Sequence, residues 1–396
     1  MDSPAERNNC ARVIDMLVRQ GELTRPQMCE KSGITPAAMH AAVTRLIACG
    51  TVERMEGGVA SGGRRAHLHR LRAHAGLTAG VHIALHTMTL GLYDLRRTPL
   101  CERTLTISPR ETGAESCCVA LCEALRHMQS EFGREYGPLL GLGVAIDAQV
   151  RPRDGSVTVF LGAPVWQGYP LAQRLSQMTG VPVCVRRSAC AQMDALMLRG
   201  DAPKAGTAVY LGVRERIEAA VMLDGRTLDG GHGLAGELGH VTVRRDGAAC
   251  ACGNAGCLHL YSSQDGIVRQ YNAASGNACR SIGDVMERLA AEDAAAVKAV
   301  TQAALYLVDV LVLLELTYDP DVLLIDCPWL AGQEPLRGRM IDALHAKSVY
   351  TRQHLTQIHF LPQAAPLARA ACAQVLLRMA PEDVRVLAPM LRARVS

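Results

Sequence analysis

The sequence predicts an α/β protein with a small N-terminal head and a body of two lobes. The first 72 residues contain three helical segments, followed by two short alternating runs around a glycine-rich tip. After residue 72, strand-like runs alternate with helical ones, and an antiparallel strand pair begins each half of the body. At 396 residues, the chain is also long enough for two or three hydrophobic cores.

These patterns predict three domains. The head spans residues 1–72, the first lobe residues 73–190 and the second lobe residues 191–396, with a C-terminal helix that can return to the first lobe. The body elements, in chain order, are a strand pair at 79–95 and 97–107, a helix at 116–133, a strand at 138–147, a helix at 170–180, a strand at 181–187, a strand pair at 207–213 and 217–225, a helix at 294–318 and a strand at 321–326.

The head has the sequence signals of a winged helix-turn-helix. Thr24 and Thr35 are predicted to cap the second and third helices, and Pro36 stands at the first position of the third. The glycine-rich tip at 61–65 belongs to the hairpin that follows. In this fold the third helix enters the major groove of DNA, and the wing contacts phosphates or the minor groove.

The predicted DNA contacts lie on the third helix and on the wing. They are Thr35, Ala38, His40, Thr44, Arg45, Arg64 and Arg65. Because the outward helix face is rich in alanine, wing and phosphate contacts are expected to dominate the affinity for DNA. A three-helix module for protein interaction is the alternative interpretation.

Charge and hydropathy agree with a DNA-binding head on a protein that does not contact a membrane. The head carries 11 Lys/Arg and 7 Asp/Glu, which accounts for the whole formal net charge of +4. Neither a signal-peptide core nor an uninterrupted apolar run of 18 residues is present, so a cytoplasmic location is expected. The most apolar stretch, 303–318, is interrupted by Asp309 and Glu315 and is predicted to be a buried helix.

A cluster of soft ligands predicts a structural zinc site. One histidine and three of the 15 cysteines form the pattern His240-x9-Cys250-x-Cys252-x4-Cys257. Four nitrogen and sulfur ligands match tetrahedral zinc, and glycines within the loop allow tight wrapping. Unliganded reduced thiols, or a redox pair at Cys250 and Cys252, are the alternatives. The other cysteines are interpreted as small buried hydrophobic residues in a reducing compartment.

The segment GGHGLAGELGHVTV, which leads into CACGNAGCL, resembles the signature of the ROK family, named for repressors, open reading frames and sugar kinases. The tip SGGRR resembles the wing of its repressor branch, and the resemblance covers nearly the whole chain. It implies two ribonuclease-H-like lobes of the actin-like ATPase and sugar kinase type, with a winged helix ahead of them. It also implies that His240, Cys250, Cys252 and Cys257 bind zinc.

The kinase machinery that this resemblance implies is replaced in the sequence. The glycine turns that approach nucleotide phosphates in the family are absent, and Glu218 and Asp326 stand in two of them. At the position of the family's catalytic aspartate stands Ser188, which is a poor general base near neutral pH. We therefore expect no enzyme activity. A ROK-type carbohydrate kinase that phosphorylates sugar with ATP is the alternative.

The sugar pocket is only partly retained. Of the five side chains that hold sugar in the family, Glu237 and His240 remain, whereas Arg187, Ser188 and His259 replace the others. The predicted effector-binding residues are Arg187, Glu237, His240 and His259. A guanidinium and an imidazole would suit an anionic effector, such as a sugar phosphate or sugar acid. Alternatively, Arg187 pairs with Glu237 and fills a pocket that binds nothing.

The expected function is that of a transcriptional regulator, with repression as the expected sign. Its partners would be a double-stranded DNA operator, a sugar or sugar-derived effector and further copies of itself in a homodimer or tetramer. Effector binding would shift the lobes and so change the spacing of the DNA-binding heads. A scaffold for another protein, such as a membrane transport component, is a third interpretation.

Overall fold

The chain folds as two compact units. A computed structural model describes residues 4–59, 66–200, 206–347, 356–361, 366–375 and 390. The first unit comprises residues 1–201 and 365–396, and the second comprises residues 202–364. The first unit is therefore built from two separate stretches of the chain.

The head contains three helices and a small antiparallel sheet. Its elements are α1 (Pro4–Gln20), β1 (Leu23–Thr24), α2 (Arg25–Ser32), α3 (Pro36–Ala48), β2 (Val52–Val59) and β3 (Ala66–Leu71). The strands pair in the order β1–β3–β2. Both predicted caps are confirmed: Thr24 forms a capping box with Gln27, and the Thr35 side chain accepts a hydrogen bond from the Ala38 amide. Three helices followed by a strand pair agree with the helix-turn-helix head that the sequence predicts.

The first lobe is built around a five-stranded sheet. Its elements are β4 (Leu77–Ile83), β5 (Met88–Asp94), β6 (Pro99–Leu105), α4 (Ala114–Tyr136), β7 (Leu139–Ile146), β8 (Gln149–Val150), β9 (Val157–Val159), α5 (Leu171–Thr179), β10 (Val183–Arg187) and α6 (Ser188–Arg199). The strand order is β10–β7–β4–β5–β6. Strands β4, β7 and β10 run parallel, whereas β4, β5 and β6 form an antiparallel meander.

The second unit repeats this topology. Its elements are β11 (Thr207–Val213), β12 (Ile217–Leu223), β13 (Arg226–Thr227), α7 (His259–Ser262), α8 (Gln264–Ser275), α9 (Ile282–Ala290), α10 (Ala294–Tyr318), β14 (Val322–Asp326), α11 (Glu334–Lys347) and β15 (Gln357–Phe360). The order β13–β12–β11–β14–β15 again joins an antiparallel meander to two parallel strands. Each unit thus contains the sheet expected of a ribonuclease-H-like lobe.

The last described helix, α12 (Leu367–Gln374), belongs to the first unit and packs on β4, β7 and α6. Helices α1, α6 and α12 contribute to one hydrophobic core, in which Ile14 and Leu17 of the head join Ala195 and Leu198 of α6. Helix α6 packs in this core, and the first unit extends to Asp201 before the chain enters the second unit.

Two glycines allow α12 to approach the sheet closely. Gly80 in β4 and Gly143 in β7 are direct neighbours in the strand register. A Cβ atom at Gly80 would lie 1.8 Å from the carbonyl oxygen of Ala368, and one at Gly143 would lie 1.8 Å from that of Ala371. Since both obstructing atoms belong to the α12 backbone, any side chain at either glycine must push the helix away.

Helix α10 is the one described helix that is long and apolar enough, by length and composition, to cross a membrane. Half of its most apolar window is buried within the protein. Ala303, Leu307, Leu311 and Leu314 are among the residues that it contributes to the core of the second unit. This placement agrees with the buried helix that the sequence predicts.

We predict that Gly80→Ala and Gly143→Ala each destabilise the protein, because the added methyl group displaces the backbone of α12. The expected loss is about 1–3 kcal/mol in the free energy of unfolding, measured by urea denaturation. Gly133→Ala is the matched control, since it lies within α4 with open space around its Cα. That variant should gain about 0.5–1 kcal/mol. Unchanged stability in both sheet variants would contradict the close packing of α12.

Candidate metal centre and ligand site

The predicted ligand cluster is brought together in the second unit. His240 ends a short 3₁₀ turn that begins at Leu238, and the three cysteines lie on the loop that follows. The Cys250 sulfur lies 3.7 Å from Nδ1 of His240, and the sulfurs of Cys252 and Cys257 are also 3.7 Å apart. All four candidate ligand atoms lie within 4.8 Å of one another.

These distances fit a tetrahedral metal site. With metal–sulfur bonds of about 2.3 Å, two sulfur ligands of a tetrahedron lie about 3.8 Å apart. Burial lowers the pKa of His240, so its imidazole is neutral and able to coordinate. Burial raises the pKa of Cys257 to about 12, so a thiolate at this position needs a cation beside it. The cluster therefore has both the geometry and the chemistry of a metal centre.

The backbone of the loop is arranged to hold this cluster. Isolated antiparallel bridges join Thr242 to Cys257 and Ala249 to Ala255. Gly256 adopts a φ of +66°, and a Cβ there would lie 1.7 Å from the carbonyl oxygen of Arg244. Only glycine tolerates both this positive φ and the lack of space for a Cβ atom, which explains the glycine immediately before the last cysteine.

Glu237 lies just before the metal cluster and is held by an arginine of the β11–β12 hairpin. Nη2 of Arg216 lies 3.3 Å from Oε2 of Glu237, and its Nε donates to Glu218 at 2.6 Å. Both carboxylates are largely buried, so this guanidinium compensates charges that would otherwise be costly. Arg216 was not among the predicted site residues. Its i, i+2 spacing to Glu218 is the signal that could have indicated the contact, because it places both side chains on one face of the hairpin.

His259 begins α7, and its ring centroid lies 6.4 Å from that of His240. Burial, assisted by the charge of Arg216, lowers the pKa of His259 to about 4. Its imidazole is therefore neutral near pH 7 and offers a ligand hydrogen bonds, not positive charge.

Arg187 lies in the first unit, whereas Glu237, His240 and His259 lie in the second. Arg187 ends β10 and is 3 % exposed, and its Nη2 donates to the Cys190 sulfur at 3.6 Å. Its neighbour Ser188 begins α6.

Ion pairs link the β11–β12 turn to the end of β14 and to its own second strand. Asp326 ends β14 and is 2 % exposed. Its Oδ2 accepts hydrogen bonds from the Tyr210 hydroxyl at 2.7 Å and from Nε of Arg214 at 3.0 Å, and its Oδ1 accepts from Nη2 of Arg214 at 3.1 Å. Arg214 lies at the beginning of the β11–β12 turn and pairs with Asp326, whereas Arg216 lies at its end and pairs with Glu218. Charged side chains therefore occupy both ends of this turn.

In the head, His40 and Thr44 are exposed on α3, whereas Ala38 and Arg45 are partly buried. Nδ1 of His40 lies 2.8 Å from Nη1 of Arg25, which adds a cation from α2 to the exposed face of α3. Arg25 was not among the predicted contacts, because its nearness to α3 depends on how the helices cross. Arg64 and Arg65 lie outside the described residues.

Comparison with known proteins identifies the class. Residues 78–353 match the ROK family, and this match covers most of the chain. The chain therefore belongs to the ROK family.

Two curated relatives are transcriptional regulators. The chain is 22 % identical over 253 residues to the xylose repressor of Bacillus subtilis (strain 168), covering 64 % of this chain and 65 % of the relative. It is 25 % identical over 259 residues to the DNA-binding transcriptional dual regulator NagC of Escherichia coli (strain K12), covering 65 % and 63 %. The matches thus span slightly less than two thirds of each relative.

A solved structure shares the fold over nearly the full length. It is described as a ROK family transcriptional regulator homologous to the E. coli MLC protein. The TM-score is 0.82 at 22 % identity, and the alignment covers 98 % of this chain and 99 % of that one.

We predict one bound metal ion per chain, measured by inductively coupled plasma mass spectrometry on protein purified without chelator. Cys250→Ser and Cys257→Ser should each reduce the metal content at least tenfold, since each removes a thiolate ligand. Cys279→Ser is the control, because this partly buried cysteine lies outside the cluster and should leave the metal content unchanged. Equal metal content in all the variants would contradict the site.

Proposed function

We propose that this ROK chain is a cytoplasmic transcriptional repressor that responds to a sugar or sugar-derived effector. It binds a double-stranded DNA operator through its winged-helix heads as a homodimer or tetramer, so that a two-fold symmetric protein meets a palindromic site. The observation that carries the proposal is the presence of this head ahead of a ROK body whose β11–β12 turn carries ion pairs.

The two relatives support the DNA-binding role, since one is a xylose repressor and the other is a DNA-binding transcriptional regulator. The name of the xylose repressor also supports a carbohydrate-derived effector for this chain. The proposed effector-binding residues are Glu237, His240 and His259 of the second unit and Arg187 of the first. The proposed DNA contacts are Thr35, Ala38, His40, Thr44, Arg45, Arg64 and Arg65.

The proposal excludes sugar phosphorylation. Glu218 and Asp326 place negative charge near the expected phosphate positions, where a kinase needs backbone amides. Arg214 and Arg216 are already engaged by these carboxylates, which weakens their ability to bind a nucleotide.

An ATP-coupled assay with glucose, xylose and N-acetylglucosamine should therefore detect no sugar-dependent formation of ADP.

We propose that the metal is a structural Zn²⁺ ion, because three thiolates and one imidazole form a closed tetrahedral donor set that suits this ion. His240, Cys250, Cys252 and Cys257 would hold it. Since His240 directs Nδ1 to the cluster, coordination would fix the ring and leave Nε2 as a hydrogen-bond donor. The ion would thereby position the loop that carries Glu237.

The operator role is tested by selecting bound duplexes from a random DNA pool, with and without fractions of cell metabolites. We expect an enriched palindrome whose recovery falls when one metabolite fraction is present, because effector binding would alter the spacing of the two heads. A pool that remains random after repeated rounds would contradict the DNA role. Enrichment that no fraction changes would contradict the sensing role alone.

We predict that the double variant Arg64→Ala/Arg65→Ala loses at least tenfold in affinity for the selected duplex and lowers the slope of log K against log salt by about 2. The reason is the loss of two proposed phosphate contacts. Fluorescence anisotropy over a salt series measures both quantities. Arg280→Ala/Arg288→Ala removes two exposed arginines from the second unit and is the matched control for net charge. Equal affinity and slope for the two double variants would refute the wing contacts.

A further inference from the structure

A cavity of about 130 Å³, here called the junction cavity, lies where the head meets the first lobe. Its walls come from the end of α1 and from β3 in the head, and from the β5–β6 turn in the lobe. All of these elements belong to the first unit. None of the proposed effector-binding residues is among the described residues that line it, so the junction cavity is a separate candidate site.

The inner wall of the junction cavity is apolar. It is lined by Leu17 and Val18 of α1, Leu71 of β3 and Leu95 of the β5–β6 turn, each of which is at most 5 % exposed. All four belong to the hydrophobic core that the head shares with the lobe. Since an apolar cavity of about 150 Å³ can hold benzene, this one is large enough for a small ring or a short alkyl chain.

The outer wall is mainly cationic. It is lined by Arg70, Arg96 and Arg97, together with the carboxylate of Glu22. Arg70 is held by two glutamates: its Nε lies 2.6 Å from Oε1 of Glu53, and its Nη1 lies 3.4 Å from Oε1 of Glu22. Arg96 is exposed and pairs with no carboxylate of the described residues. An anion at this wall would therefore meet at least one guanidinium whose charge is not compensated.

The β5–β6 turn that carries Arg96 and Arg97 is well ordered. Oδ1 of Asp94 accepts hydrogen bonds from the backbone amides of Arg96 and Thr98, each at 2.8 Å. Arg97 has a φ of +65°, a region that residues other than glycine and asparagine rarely adopt. An arginine is therefore kept at this position at a conformational cost, as is typical of functional sites.

We propose that the junction cavity binds a small organic carboxylate. The apolar part of the ligand would pack against the inner wall, while its carboxylate would accept charge-assisted hydrogen bonds from Arg96 and lie close to Arg97. An inorganic anion would use the outer wall alone and would bind less tightly. Glu22 opposes the ligand, because it repels a carboxylate and compensates the charge of Arg70. The inference is independent of the proposed sugar effector.

A ligand in the junction cavity would contact the head and the lobe at the same time. Leu17 and Arg70 belong to the head, whereas Leu95 and Arg96 belong to the lobe. Binding would stabilise the arrangement in which these walls face each other, since a ligand favours the state that it binds more tightly. In the proposed regulator, the cavity would be a second input to operator binding beside the sugar.

The test is isothermal titration calorimetry of the full chain with benzoate, benzyl alcohol and inorganic phosphate near neutral pH. We expect benzoate to bind, and benzyl alcohol and phosphate each to bind at least tenfold more weakly, because one lacks the charge and the other the apolar part. Arg96→Glu should weaken benzoate binding at least tenfold, and Glu22→Gln should strengthen it severalfold. Arg110→Glu is the matched control, since Arg110 is an exposed arginine of the same lobe outside the cavity.

All three substitutions are at exposed positions, and thermal unfolding of each variant verifies that it folds. Equal benzoate affinities of Arg96→Glu and Arg110→Glu would overturn the site, as would weaker binding in Glu22→Gln. The absence of saturable benzoate binding, or equal binding of benzyl alcohol, would overturn it as well. Operator affinity is measured by anisotropy in parallel: its loss in Arg96→Glu with unchanged benzoate binding would overturn the site and assign Arg96 to a DNA phosphate.

Discussion

The head and the first lobe depend on one shared hydrophobic core. Helix α1 packs against α6 as well as against α2 and α3, and its buried side chains share one hydrophobic cluster with α6 and α12. The head therefore has no independent core that would let it move freely on a linker. A head that shares its interior with the first lobe is coupled to that lobe by packing.

Ion pairs cross-link the β11–β12 hairpin of the second unit. The β11–β12 hairpin keeps its strands, while Arg214 and Arg216 neutralise the carboxylates of Asp326, Glu218 and Glu237. Buried carboxylates are costly unless they are paired, so these three carboxylates depend on the two arginines. The hairpin is thereby held by internal cross-links.

Much of the fold could be predicted because its signals are local. The caps at Thr24 and Thr35 lie within three residues of their partners, and the metal cluster lies within one loop. The pairing of Arg216 with Glu237 joins residues 21 positions apart and depends on the folded hairpin, so no local pattern indicates it. The grouping of α6 with the first unit could not be predicted either, because it depends on small side chains that meet distant partners.

The glycines that receive α12 also determine the order in which the protein can be completed during synthesis. Most of the first-lobe sheet leaves the ribosome before residue 201, but the helix that covers Gly80 and Gly143 follows more than 160 residues later. The second unit is one continuous stretch and can close as soon as it emerges. The nascent chain must therefore keep the face of β4 and β7 that receives α12 uncovered until residues 367–374 emerge, and in this interval its apolar surface is open to aggregation.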